Sequence, residues 1–310
     1  MKAACMVPPP SHRSTGAALV LVLWLVAALS LTVLAGAHGM RQQTQHAGLA
    51  LERLRAEALL DGALQLAAQR LVAEKDQPGR YRRQVLALGG QEIWLEVTPA
   101  TGLIDINVAS DALLLALLQR AGGLPAGDAA IMVSRIRDFI DPDDTPTGAG
   151  GAEAAQYRAA SWPAVPRNSA LEDISELKSV LGMTPELYDI IAPYLGVNGQ
   201  QRLEVDATPA ALIDILTGQK GLGAQVHQSP PESRAGLLLS GATAEFFSAA
   251  QGGGGKEVRV RAYAKGGGDQ WWLREAWIDP RERPDTLASW TMLTLEPTRR
   301  INKPEQEWSP

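Results

Sequence analysis

The chain has 310 residues, 45% of them hydrophobic, and a formal net charge of −5 that becomes about −7 when Lys2 and Arg13 are left out. That length is ample for a membrane helix with one large domain or two small ones, and so acidic a surface makes nucleic acid a poor partner. The single cysteine, Cys5, lies near the N-terminus and the four histidines, at 12, 38, 46 and 227, have no zinc-ligand spacing, so neither a disulfide nor a Cys-containing metal site is expected in the rest of the chain.

Met1 to Gly16 is a short leader that holds Lys2 and Arg13, contains Pro8-Pro9-Pro10 and ends in Ser14-Thr15-Gly16. Ala17 to Ala37 follows with about twenty-one uncharged residues. As a helix rising about 1.5 Å per residue it is long enough for a bilayer core of about 30 Å. Basic residues before the run and few just after it, Arg41 being the nearest, predict a cytoplasmic N-terminus. Two plainer readings share the segment: a signal peptide cut at Ala35-Gly36-Ala37, and a simple single-pass anchor. From Arg41 to Lys75 there is no proline, and Leu49, Leu51, Leu54, Ala58, Leu59, Ala63, Leu66 and Leu71 fall largely at three- and four-residue spacing. The apolar run and this continuation read as one long helix.

Gln77-Pro78-Gly79 ends that helix. In Arg82 to Val97 two alternating runs flank Gly89-Gly90, which predicts an antiparallel hairpin. From Asp105 to about Gly218 the period is helical. Asp105 to Leu118 starts a helix that Asn107 or Ser110 can cap, and Glu204 to Leu216 is a second copy with Asp206 in the place of Asn107. Between them, Ala129 to Ile140 is amphipathic, and Leu171 to Leu195 reads as two short helices meeting at Leu181-Gly182-Met183, with Thr184 the cap and Pro185 the first helical residue. Strands return at Glu257 to Ala264, Gln270 to Ile278 and Ser289 to Leu295, after a glycine run at 252–255 read as a hinge or turn. Alternation puts Trp271 and Trp277 on one face and Trp272 on the other, one face being expected to pack on the long helix.

Chemistry concentrates between Arg137 and Tyr157. Asp138, Asp141, Asp143, Asp144 and Glu153 lie on a loop rich in glycine and proline, an oxygen-rich, permissive arrangement that suits calcium, though the spacing is not that of an EF-hand. A solvated acidic loop turned by Asp141 or Asp143 would show the same pattern. No nucleophile motif accompanies Ser, His and Asp, and the glycine-rich stretches lack the Lys and Ser/Thr of a phosphate loop, so no enzyme is expected.

Several stretches together resemble one family. Gly16-Ala17-Ala18-Leu19-Val20-Leu21, Asp105-Ile106-Asn107, Phe139-Ile140-Asp141-Pro142-Asp143-Asp144 to Gly151-Ala152-Glu153, Arg167-Asn168, Glu176-Leu177 to Thr184-Pro185, Tyr194-Leu195 and the late strands are similar to the general secretion pathway protein K family, the minor pseudopilins of type II secretion. The resemblance implies an α+β pseudopilin fold, a long N-terminal helix packed on an antiparallel sheet, with a large inserted α-helical domain. The corresponding segments are a leader at 1–16, the transmembrane and stem helix at 17–76, sheet at 77–103, the insertion at 104–235, sheet again at 236–296 and a flexible tail at 297–310.

It further implies cleavage by prepilin peptidase after Gly16, N-methylation of Ala17, and Leu21 standing where most pseudopilins carry a filament glutamate, a departure that fits a subunit with none above it. Calcium in the globular part is also implied, which directs attention to Asp138, Asp141, Asp143, Asp144 and Glu153. The implied partners are minor pseudopilins I and J, the major pseudopilin, prepilin peptidase and the inner-membrane secretion platform. The implied location is a single pass through the inner membrane with a periplasmic body that later caps the pseudopilus. Two rival expectations are a membrane-anchored helix-hairpin-helix DNA receptor built on Leu171 to Leu195, and a membrane-anchored hydrolase using the Asp cluster.

Overall fold

The structure, a computed structural model, describes residues 15–73, 79–241, 243–249, 256–281 and 289–304, with the side chains at 15–18 and 34–46 excepted. Most of the expected leader, the Gln77-Pro78 break and the glycine run at 252–255 lie outside the described residues. The chain divides into two compact units, Met1–Arg55 and Ala56–Pro310.

The described part of the first unit is helix, the opening of α1 (Thr15–Ala73). Its side chains from Leu19 to Val33 are exposed, Leu21 at 66%. Among the described residues no helix is long and apolar enough to cross a membrane. The expected span continues to Ala37, beyond the last side chain described in that stretch.

In the second unit α1 packs on a sheet through Ala56, Leu60, Ala63, Leu64, Ala67, Ala68 and Leu71. This stripe differs from the expected one. Ala58 is exposed and Leu59 and Leu66 are half-buried, while four alanines take the central positions, because their small side chains let the helix approach the sheet closely.

The sheet begins with the hairpin β1 (Arg82–Leu88) and β2 (Gln91–Pro99), registered Leu88 to Gln91 across Gly89 and Gly90, whose φ of 59° and 79° are those of a primed turn. The chain then leaves for the insertion. In order this contains β3 (Ile104–Asp105), α2 (Asp111–Arg120), α3 (Ala126–Ile140), α4 (Ala154–Ala159), α5 (Pro185–Ile191), β4 (Leu195–Gly196), β5 (Leu203–Glu204), α6 (Ala210–Thr217), α7 (Leu222–Gln228), α8 (Pro231–Leu238) and β6 (Phe247–Ser248). It returns as β7 (Val258–Lys265), β8 (Trp271–Asp279), β9 (Thr291–Leu295) and β10 (Arg299–Ile301). β7 pairs antiparallel with β2, Val97 opposite Val260, so two strands adjacent in space enclose the whole insertion. Beyond β8, β10 pairs with Trp271 to Leu273 and β9 with Ala276 to Asp279. A tail was expected from residue 297, but β10 holds Arg299 to Ile301 in the sheet. Residues 305–310 lie outside the described residues.

The insertion has its own core, from Ile104 through Leu113, Ile136, Tyr157, Leu187 and Leu212 to Phe247. Of the two expected caps Ser110 serves α2, its hydroxyl accepting from the Leu113 N–H, while in the second copy α6 begins only at Ala210 after Pro209, later than a cap at Asp206 would place it. The two copies still share their entry. β3 pairs parallel with β4 and β5 with β6, while the Ala109 N–H bonds Asp105 O at 2.9 Å and the Thr208 N–H bonds Glu204 O at 3.0 Å. The copies meet at Gly102, where a Cβ would stand 1.9 Å from Ala207 O. In the Leu171 to Leu195 segment the first expected helix is a 3₁₀ stretch, Ile174–Ser179, and the second is α5, with Thr184 its cap and Pro185 in its first turn.

Trp272 faces α1 within the sheet core. Trp271 and Trp277 occupy the opposite face, where Trp271 packs 4.4 Å from Trp94.

Candidate metal centre

The acidic loop is shaped by one carboxylate that holds backbone. Asp138, near the end of α3, is fully buried at 0% exposure. Its oxygens accept the Thr147 N–H at 2.9 and 3.1 Å and the Ala152 N–H at 2.6 Å. These bonds draw the far end of the loop back to α3. Gly151 fits beneath, since a Cβ there would lie 2.3 Å from Asp138 Oδ2.

The consequence is a convergence. Oxygens of Asp141, which follows α3, of Asp143 on the loop and of Glu153, which precedes α4, lie within 4.8 Å of one another. Asp143 Oδ1 also accepts the Thr145 N–H at 2.7 Å. Glu153 is 3% exposed and neither of its carboxylate oxygens has a partner; Asp141 Oδ1 is likewise buried without one. Burial, followed by the neighbouring carboxylates of Asp138 and Asp141, pushes Glu153 up to about 7. Asp141 is raised by burial and by Asp143 and Asp138. A cation relieves all three costs, because it supplies partners for the orphaned oxygens and cancels the mutual repulsion.

Of the five residues expected from the sequence, the structure thus brings three together. Asp138 is occupied by backbone N–H groups. Asp144 is turned toward the Asn168 amide, 3.4 Å from its Nδ2. Asn168 itself was not expected as a candidate, although it sits at a φ of 53°, its N–H bonds Phe139 O at 3.0 Å, and its Oδ1 is buried without a partner. A non-glycine residue held at positive φ beside an acidic cluster is a signal visible in coordinates rather than in spacing.

Two residues tie this loop to the α5 hairpin. Arg135 donates from Nε to Gly150 O at 3.3 Å and from Nη1 to Leu181 O at 3.0 Å. The Tyr157 hydroxyl accepts the Leu181 N–H at 2.8 Å.

A long helix laid on an antiparallel sheet, with the sheet opened between the neighbouring strands β2 and β7 to admit a helical insertion, is the arrangement that the expected pseudopilin fold calls for. Residues 98–199 match the family model described as type II secretion system (T2SS), protein K. The chain is 27% identical over 218 residues to the type II secretion system protein K of Klebsiella pneumoniae, covering 63% of this chain and 66% of that protein. It is 28% identical over 211 residues to the protein of the same name from Pectobacterium carotovorum subsp. carotovorum, covering 59% and 62%. The match therefore spans just under two thirds of the length of these relatives. Among solved structures it is similar to a chain of the GspK-GspI-GspJ complex from the enterotoxigenic Escherichia coli type 2 secretion system, with a TM-score of 0.51, 19% identity and coverage of 83% of this chain and 98% of that one. At that identity the likeness is one of fold. In sequence and in fold the chain resembles the type II secretion system protein K family, the sequence match to the family's model being confined to residues 98–199.

Proposed function

We propose that this chain is a minor pseudopilin of a type II secretion system, a structural subunit that caps the periplasmic pseudopilus and supports its assembly. The observation that carries the proposal is that the protein K family match, which runs from the end of β2 into the insertion, includes the acidic loop. The partners would be minor pseudopilins I and J, as in the complex of the similar E. coli protein, together with the major pseudopilin, prepilin peptidase and the inner-membrane platform.

The exposed apolar side chains from Leu19 to Val33 support membrane insertion followed by packing among neighbouring helices, since so large an apolar surface demands one cover or the other. Before assembly the chain would cross the inner membrane once, with its N-terminus cytoplasmic. Leu21 supports the tip position. A glutamate buried there would need a partner from another subunit, and leucine needs none.

Calcium would be held by Asp141, Asp143 and Glu153, since the buried oxygens of Asp141 and Glu153 that make no hydrogen bond fit a hard cation beside the exposed Asp143. The ion would supply charge neutralisation to the loop. Asp138 shapes the loop, and Arg135 and Tyr157 connect it to the α5 hairpin.

The DNA-receptor reading gains little from this geometry. The Leu171 to Leu195 segment carries Glu172, Asp173, Glu176, Glu186 and Asp189 against a single basic residue, Lys178, and the preceding Arg167 is occupied by Glu172 and Glu176. Replacing Gly16 by alanine tests the proposal: leader processing and secretion are lost while membrane insertion remains. Normal processing of that variant would contradict it.

A further inference from the structure

The sheet face opposite α1 carries a charge excess that its own side chains do not cancel. Around Arg259 it presents Arg83 and Arg261, with Arg299 on β10 opposite Leu273, and the carboxylates Glu96 and Glu275. Glu96 lies 3.4 Å from Arg83 and 3.9 Å from Arg261, and accepts from the Tyr81 and Tyr263 hydroxyls at 2.8 and 3.2 Å. Glu275 lies 2.6 Å from Arg261. Both carboxylates are thereby engaged, and Arg259 is left over.

Arg259 is 2% exposed. Its Nη2 donates to Pro193 O at 2.6 Å, its Nε–H has no acceptor, and its guanidinium carbon stands 5.9 Å from the Trp277 ring. Among the described residues no carboxylate lies within ion-pair distance of it. It lines a cavity of about 260 Å³ together with Arg83, Arg261, Tyr194, Tyr263, Pro304 and Glu96, whose carboxylate is taken up by Arg83 and the Tyr81 and Tyr263 hydroxyls.

We infer that this cavity is a binding subsite for a single carboxylate, held by Arg259 where the insertion meets the sheet. A buried guanidinium without an anion is strongly unfavourable, and one carboxylate satisfies it in both charge and planar geometry. The planar fork of a guanidinium matches a carboxylate in two parallel bonds, and a tetrahedral dianion would also approach the Glu96 carboxylate that lines the same cavity. Burial, with the repulsion of Arg261 added, brings Arg259 down to about 10 even though Glu275 and Glu96 favour its charged form. The carboxylate has two available sources: an acidic side chain of another protein, or Glu305 and Glu307 of this chain, which follow Pro304 in sequence.

The test is thermal unfolding of the full-length chain in detergent at pH 8, in acetate against chloride at equal ionic strength. Acetate at about ten times its dissociation constant raises the midpoint by about 3 °C, and Arg259→Met abolishes the rise. A rise in the parent chain assigns the site to a carboxylate from outside. A rise confined to the Glu305→Gln, Glu307→Gln variant assigns it to the chain's own side chains. Equal midpoints in acetate and chloride for both chains, or a rise that survives Arg259→Met, overturn the inference. If Arg259→Met does not fold, the Arg259 Nε nitrogen resonance serves instead, in the parent and in the double glutamine variant: it moves with acetate and not with chloride in at least one of them, and a stationary resonance in both overturns the inference.

Discussion

Asp138 Oδ2 accepts the Ala152 N–H at 2.6 Å, and this one bond between the end of α3 and the start of the α4 approach closes the acidic loop. The carboxylate that looked like a ligand works as a clamp, and the ligand candidates converge because of it. Replacing Asp138 by alanine removes the acceptor of two backbone N–H groups inside a buried space. A loss of about 3 kcal/mol is expected, at about 1.5 kcal/mol or more for each hydrogen bond to a charged group. Denaturant unfolding of Asp138→Ala beside Asp144→Ala checks this, with the exposed Asp144 variant expected within about 0.5 kcal/mol of the parent.

Glu153 separates a metal site from a solvated acidic loop. Glu153→Gln removes one charge from a repelling cluster, so the calcium-free chain becomes more stable while its stabilisation by calcium falls. Thermal melts of both chains in chelator and in calcium provide the check. A solvated loop would give no calcium response in either chain.

Glu275 sets an acid limit. Burial raises it, but Arg261 and Arg259 outweigh burial and bring it down to about 2, from an ordinary value of 4.5. Its contribution to stability is therefore full above about 4.5 and is lost as pH falls from there toward 2. Glu275→Gln should lower stability at pH 7 and flatten the dependence of stability on pH across that window, as read by urea titrations at several pH values.

Arg274 fastens α1 to the sheet, 2.6 Å from Glu57 and 2.7 Å from Asp61. It also donates to the Thr298 hydroxyl at 2.7 Å, beside β10. Arg274→Ala is expected to speed amide hydrogen exchange in α1 around Leu60 and Leu64 more than in β2 or β7. Uniform acceleration across these elements would mean that Arg274 supports the whole unit rather than this contact.

The hairpin at Gly89-Gly90, the Thr184-Pro185 helix start and the alternation of the late strands were legible because each rests on local chemistry: a primed turn, a hydroxyl cap, a two-residue period. The face of α1 was legible only in part. Ala63 and Leu71 fall on it as the spacing predicts, but Leu49, Leu51 and Leu54 are exposed while Ala56, Leu60, Leu64, Ala67 and Ala68 are buried, and only the partner surface reveals which residues face it. The strand β10, at three residues, carries too little pattern to stand out from a polar tail. The four two-residue strands of the insertion are registered by backbone pairing with distant segments, which no local window contains. In the acidic loop composition identified the right stretch, but equal carboxylates cannot be told apart by spacing. Asp138 differs from Glu153 because it bonds the Thr147 and Ala152 N–H groups, whereas Glu153, at the N-terminus of α4, faces the Gln156 N–H without a hydrogen bond of normal geometry.

The central claim is that the N-terminal helix is a retained, processed assembly element, and the mass of the N-terminal peptide of the membrane-extracted protein tests it most directly. The account predicts a chain that begins at a methylated Ala17. A chain that begins after Ala37, or that still carries Met1 to Gly16 in cells with an active prepilin peptidase, would contradict it.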